Sequence, residues 1–128
     1  DRLEEQGAFI SVSHPFDFLR GGNWKMEELL EILPRVDAIE TFNARCIWPG
    51  FNWRAQNLAK EHGLRGTHGS DAHTAFEVGR GSLILPEFND AAGLRAAMQN
   101  AISAPLQLSA FWVRFTSRYA VFVKRHRK

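Results

Sequence analysis

In residues 67–74, Thr-His-Gly-Ser-Asp-Ala-His-Thr, a carboxylate and an imidazole stand two residues apart behind a pair of small residues. Residues i and i+2 of an extended segment point to the same side, so Asp71 and His73 can turn together toward one point. Carboxylate oxygen and neutral imidazole nitrogen are donors suited to zinc, manganese or iron. A second imidazole, His14, stands in Ser-His-Pro at 13–15, and Ile-Glu-Thr-Phe-Asn at 39–43 contributes Glu40 and Asn43. Each has an ordinary alternative. Asp71 could close an Asx turn, His14 could cap a strand, and Glu40 could be a surface charge at a strand end. The case for chemistry is that all three stretches follow strand-like runs.

Those runs belong to an alternating pattern of strands and helices. Apolar, partly β-branched segments predict strands at 8–13, 36–42, 64–70 and 81–86. Between them, 25–33 places Met26, Leu29, Leu30 and Leu33 on one helical face and stops at Pro34. A second helix is expected over 52–63, with Asn52 as N-cap, Ala55, Leu58 and Ala59 inward, and Gly63 at its end. A third, about 90–102, buries Leu94, Met98, Ala101 and Ile102. Single helices between strands imply right-handed βαβ units and a mostly parallel α/β sheet. Ligands in such folds bind at the carboxyl ends of the strands. His14, Glu40 with Asn43, and Asp71 with His73 then share one rim.

Three or four units cannot close a barrel of about 250 residues, so the expectation is a small open sheet or part of a barrel. The opening Asp-Arg-Leu-Glu-Glu-Gln-Gly reads as the last turns of a helix ending at Gly7, from which preceding sequence is expected. At 128 residues, with 45% apolar and 23% charged residues, the chain can build a core and is not of disordered composition. No apolar run approaches the roughly 20 residues that span a bilayer. A single cysteine, Cys46, excludes an internal disulfide, and a cytoplasmic setting is expected.

Charge divides the chain unevenly. Residues 1–110 hold 10 Lys and Arg against 14 Asp and Glu, whereas residues 111–128 hold six basic groups and no acid. The predicted division is a body at 1–104 and an aromatic, basic helix and tail at 105–128. On a helical projection Phe111, Trp112, Phe115, Tyr119, Phe122 and Val123 share one side, flanked by Arg114, Arg118 and Arg125. Packing on the body or on a second subunit is the expected use, the latter giving a homodimer. Membrane-surface attachment would use the same aromatic and basic groups, and nucleic-acid contact the basic tail alone, neither with other support.

Gly-Ala-Phe-Ile-Ser-Val-Ser-His-Pro, Asp-Ala-Ile-Glu-Thr-Phe-Asn-Ala-Arg and Gly-Ser-Asp-Ala-His-Thr, in that order over about residues 7–85, resemble the C-terminal half of the PHP (polymerase and histidinol phosphatase) family. The resemblance implies part of a distorted seven-stranded β/α barrel that hydrolyses phosphate esters at a multinuclear centre of divalent metal ions. On it His14, Asp71 and His73 match metal ligands, with Asp71 and His73 catalytic, and Asn43 lines the site. Glu40 is expected as a carboxylate supporting a ligand. His68, on the opposite face from Asp71 in a regular strand, is expected to pack or to play a similar supporting part.

Arg20 and Arg45 lie beyond the same rim and could grip a phosphate in two places. The substrate class would be small phosphate esters, nucleotides or oligonucleotide ends. The family's His-x-His motif does not occur in this chain. About four ligands are needed per ion, so this chain by itself is expected to bind metal weakly and catalyse little. Two other classes compete. One is a non-catalytic module that associates through the aromatic helix, and the other is a metal hydrolase acting on C–N bonds.

Overall fold

The computed structural model describes residues 2–18 and 24–113. A short helix α1 (Arg2–Glu5) leads into β1 (Ser11–Val12), then α2 (Met26–Ile32), β2 (Ala38–Asn43), α3 (Pro49–Glu61) and β3 (Arg65–Gly69). β4 (Leu83–Ile84), α4 (Ala91–Ala97) and β5 (Ile102–Ser103) complete the order. Gly7 ends α1 as its position suggests. It adopts a φ of +66°, which costs a glycine little, while its N–H and that of Ala8 return to the carbonyls of Glu4 and Leu3.

β1, β2 and β3 form one parallel sheet in sequential order. The α/β, βαβ reading therefore holds, as three adjacent parallel strands that do not close into a barrel among the described residues. α3 crosses from β2 to β3 and turns Ala55, Leu58 and Ala59 inward, as their spacing predicts. They join Val12, Leu29, Leu33 and Ile39 in one apolar cluster, with Phe16, Ile32, Val36 and Leu64 against it. Full burial of one such aliphatic side chain contributes about 1.5–3 kcal/mol. Arg95 of α4 fastens the start of the sheet: it donates to Asp37 Oδ1 (2.7 Å) and to the carbonyls of Gly7 and Ala8. Asp37 Oδ2 also accepts from the N–H of Ile10, at 2.8 Å.

Four expectations are corrected. β4 does not add a fourth parallel strand; it pairs antiparallel with β5, Leu83 opposite Ser103 and Ile84 opposite Ile102. The third helix accordingly gives way earlier, through a 3-10 turn at Met98–Asn100, and Ile102 lies 64% exposed in β5. Asp90 caps α4, accepting from the N–H of Gly93. α3 begins at Pro49 with Trp48 in the capping position, three residues before Asn52, whose side chain instead bonds to Asn43. Of the α2 face, Leu29 and Leu33 are buried, while Met26 and Leu30 remain exposed. The predicted C-terminal helix lies almost wholly outside the described residues. Phe111 and Trp112 are exposed (67% and 62%), and Val113 is buried.

Candidate functional site

The middle strand sets the geometry. β2 pairs with β3 as Glu40 opposite Thr67, then Phe42 opposite His68, so the ladder shifts by one residue at Thr41. In a regular strand Glu40 and Asn43, three apart, would face opposite sides. The bulge inserts one unpaired residue and re-phases the strand, and the two side chains meet. Asn43 Nδ2 donates to Glu40 Oε2 at 3.2 Å and Oε1 at 3.3 Å. The same amide nitrogen donates to Asp71 Oδ2 at 3.3 Å.

Glu40 also reaches the first strand's end, where Oε2 accepts the backbone N–H of His14 at 2.7 Å. His14, Asp17 and Glu40 line one small crevice behind the rim. A hydrogen-bonded chain thus runs from His14 through Glu40 and Asn43 to Asp71, across three parallel strand ends. The carboxylate of Glu40 fits because residue 69 is glycine: a Cβ there would collide with Glu40 Oε1.

Asp71 and His73 are tied to each other as well. His73 Nδ1 lies 2.8 Å from the carbonyl oxygen of Asp71 and 3.9 Å from its Oδ1. A carbonyl can only accept, so Nδ1 carries the proton in the neutral ring and Nε2 is the basic nitrogen. Among the described residues the non-glycine positions with positive φ are His14 (+30°) and Asp71 (+50°). Backbones of this kind cost on the order of 1–3 kcal/mol and persist where the surroundings over-determine them, commonly at functional sites.

One participant was missed by the residue-by-residue reading. Glu77 is fully buried, and its Oε2 accepts from the N–H of His73 (3.2 Å), the N–H of Thr74 (3.1 Å) and the Thr74 hydroxyl (3.0 Å). Its other oxygen pairs with Arg45 Nε at 3.1 Å. Burial would raise its pKa, but these N–H groups, the Thr74 hydroxyl and Arg45 prevail and hold the carboxyl below its ordinary value. The signal for it is Thr74-Ala-Phe-Glu77, the Thr-x-x-Glu spacing of a capping box, which the short helical turn Ala75–Glu77 uses.

Arg45, expected to reach a phosphate, is 5% exposed. It spends its guanidinium on Glu77 and on the carbonyl of Val113. Arg20 lies outside the described residues. His68 packs edge-on to Phe42 with ring centroids 5.9 Å apart, and burial lowers its pKa. Carboxylate and imidazole groups suit a divalent cation in kind. In number they fall short, since among the described residues no three His, Cys, Asp or Glu are placed to hold one ion together.

Comparison with known proteins finds a family match that includes the Gly-Ser-Asp-Ala-His-Thr stretch. Residues 49–101 match the model of the PHP-associated family PHP_C. An uncharacterized protein of Methanocaldococcus jannaschii is 37% identical over 92 residues, which is 70% of this chain and 39% of that protein. The chain therefore spans well under half the length of the curated relative it matches. No solved structure matches it. No helix among the described residues is long and apolar enough to cross a membrane. The family match, which takes in Asp71 and His73 but not His14, Glu40 or Asn43, supports a C-terminal PHP-family domain region over residues 49–101.

Proposed function

We propose that this chain is the C-terminal part of a metal-dependent phosphoesterase whose three strands belong to a distorted β/α barrel. The observation that carries the reading is the bonded series His14–Glu40–Asn43–Asp71, with strained backbone at both ends. A turn needing only closure would not hold two neighbouring carboxylates on one amide. His14, Asp71 and His73 would hold zinc, manganese or iron together with donors outside this set. A bound divalent ion supplies Lewis acidity toward a phosphoryl oxygen.

The chain's own groups do the positioning. Asn43 screens Glu40 from Asp71, Glu40 fixes the backbone of His14, and the Nδ1 proton of His73 on a carbonyl turns Nε2 outward as donor. The substrate is a phosphate ester of small-molecule or nucleotide size. Arg20 is the proposed phosphate contact, since Arg45 is committed to the interior.

Calorimetric titration with zinc and with manganese tests this. Weak binding that disappears in Asp71→Asn and His73→Gln supports the reading. Absence of binding by the unaltered chain at millimolar metal removes it. A second reading, association through the C-terminal segment, is supported by exposed Phe111 and Trp112 beside buried Val113. If it holds, a concentration-dependent increase in mass by analytical ultracentrifugation disappears in Phe111→Ser/Trp112→Ser.

A further inference from the structure

We infer that Glu77 is the positioning residue for His73, and that Arg45 holds it in place. The inference rests on the reading of His73 as a metal ligand and extends it to residues that touch neither metal nor substrate. The connection is continuous. Val113's carbonyl accepts from Arg45 Nη2 at 3.0 Å, Arg45 Nε pairs with Glu77 Oε1, and Glu77 Oε2 takes the amides of His73 and Thr74. His73 then returns its Nδ1 proton to the Asp71 carbonyl.

Two consecutive amides bound to one carboxylate oxygen leave the backbone at His73 little freedom, and the ring is aimed accordingly. Local capping alone does not account for the arrangement. A capping interaction is a modest local stabilisation, and a solvent-exposed glutamate would supply it. Here a carboxylate that is 0% exposed and a guanidinium that is 5% exposed are both withdrawn from water. Taking each ion out of water carries a large desolvation penalty, well beyond what a cap returns.

The carboxylate's other bonds point the same way. Beyond Arg45 and Ser109 they converge on the two residues that follow Asp71-Ala72. Arg45 in turn belongs to the loop after β2, where its own N–H donates to Asn43 Oδ1 at 2.9 Å. The pair therefore couples the end of β2, where Asn43 stands, to the loop carrying His73. Groups that orient a ligating histidine are worth about 10–100-fold in metal affinity when removed.

The test uses the whole chain and the double variant Arg45→Met/Glu77→Leu, which removes the anchor without stranding either charge in the interior. Apolar replacement of a whole buried pair is commonly tolerated. Nitrogen-15 NMR of the histidine rings at neutral pH, without metal, reads the tautomer. The unaltered chain is expected to show His73 protonated on Nδ1, and the variant to shift toward the Nε2–H form that a free imidazole prefers in water. Zinc titration is expected to show affinity lower by about tenfold or more. A folded variant that keeps both the tautomer and the zinc affinity overturns the inference.

The unaltered chain offers a check that needs no substitution: the amides of His73 and Thr74 should exchange with solvent slowly, and unprotected exchange would also overturn it. If zinc perturbs no ring in the unaltered chain while the tautomer still depends on Glu77, the positioning claim stands and the metal reading falls.

Discussion

Asn43 and Asp71, on neighbouring parallel strand ends and 28 residues apart in sequence, are joined by a 3.3 Å bond from Nδ2 to Oδ2. The same nitrogen also donates to both oxygens of Glu40, so a single neutral group separates two carboxylates. Asn43→Asp would put a third negative charge between them and leave each without its donor. Loss of about 1–3 kcal/mol is expected at neutral pH, with partial recovery as the carboxylates protonate. Urea denaturation at two pH values measures it; unchanged stability at neutral pH would contradict the bridging role.

Gly69 leaves the space that Glu40 occupies. In Gly69→Ala the new methyl meets Glu40 Oε1, and the carboxylate must move away from the His14 amide and Asn43. Crowding of this kind typically costs about 1–3 kcal/mol. The backbone amide resonance of His14, shifted downfield by its bond to Glu40, should move toward ordinary values in the variant. A His14 amide that keeps its position would show that Glu40 has room to spare.

His14 holds a φ of +30° without the freedom of glycine. Relief of strain on the order of 1–3 kcal/mol exceeds the roughly 0.5–1 kcal/mol that glycine loses in backbone entropy. His14→Gly, which keeps the N–H that binds Glu40, is therefore expected to raise the thermal midpoint while weakening zinc binding. A lowered midpoint would mean that the imidazole itself contributes to packing.

Two pH windows follow from the shifted groups. Burial depresses the pKa of His68 below 6.5, a shift that a hydrogen bond with Ser82 and the charge of Glu40 only partly oppose. As pH falls through 6.5 the unfolded chain takes up this proton first, so stability declines until the lower folded pKa is passed. His68→Phe, which retains a ring against Phe42, should flatten that decline in urea midpoints measured from pH 7 to pH 5.

Asp37 and Glu77 act at lower pH. Burial would raise both, but Arg95 and the Ile10 amide for Asp37, and the His73 amide, Thr74 and Arg45 for Glu77, leave them depressed. Their contribution is fully present above the unfolded carboxylate range and is lost as pH falls through their folded values. In Arg95→Met the acid transition should move to higher pH, because Asp37 then keeps its burial and loses its main counterweight. An unmoved transition would show that Asp37 does not govern it.

Much of this was legible without coordinates, and the limits have physical causes. The inward face of α3, the stop at Gly7 and the parallel order of three strands all follow from local periodicity, caps and connection lengths, which sequence carries directly. So did the placement of His14, Glu40, Asn43 and Asp71 at the ends of those strands. What depended on the tertiary structure was register and partnership between distant residues. The bulge at Thr41 brings Glu40 and Asn43 to one side against the strand period. The pairing of β4 with β5 ends α4 early, and the demands of Asn43 recruit Asn52 from a cap into the interior. Arg45, an open loop arginine by composition, is drawn inside because a carboxylate 32 residues away is buried beside it. Side-chain type and spacing select the candidates, but only the packed chain determines which charges lose their water and must therefore find each other.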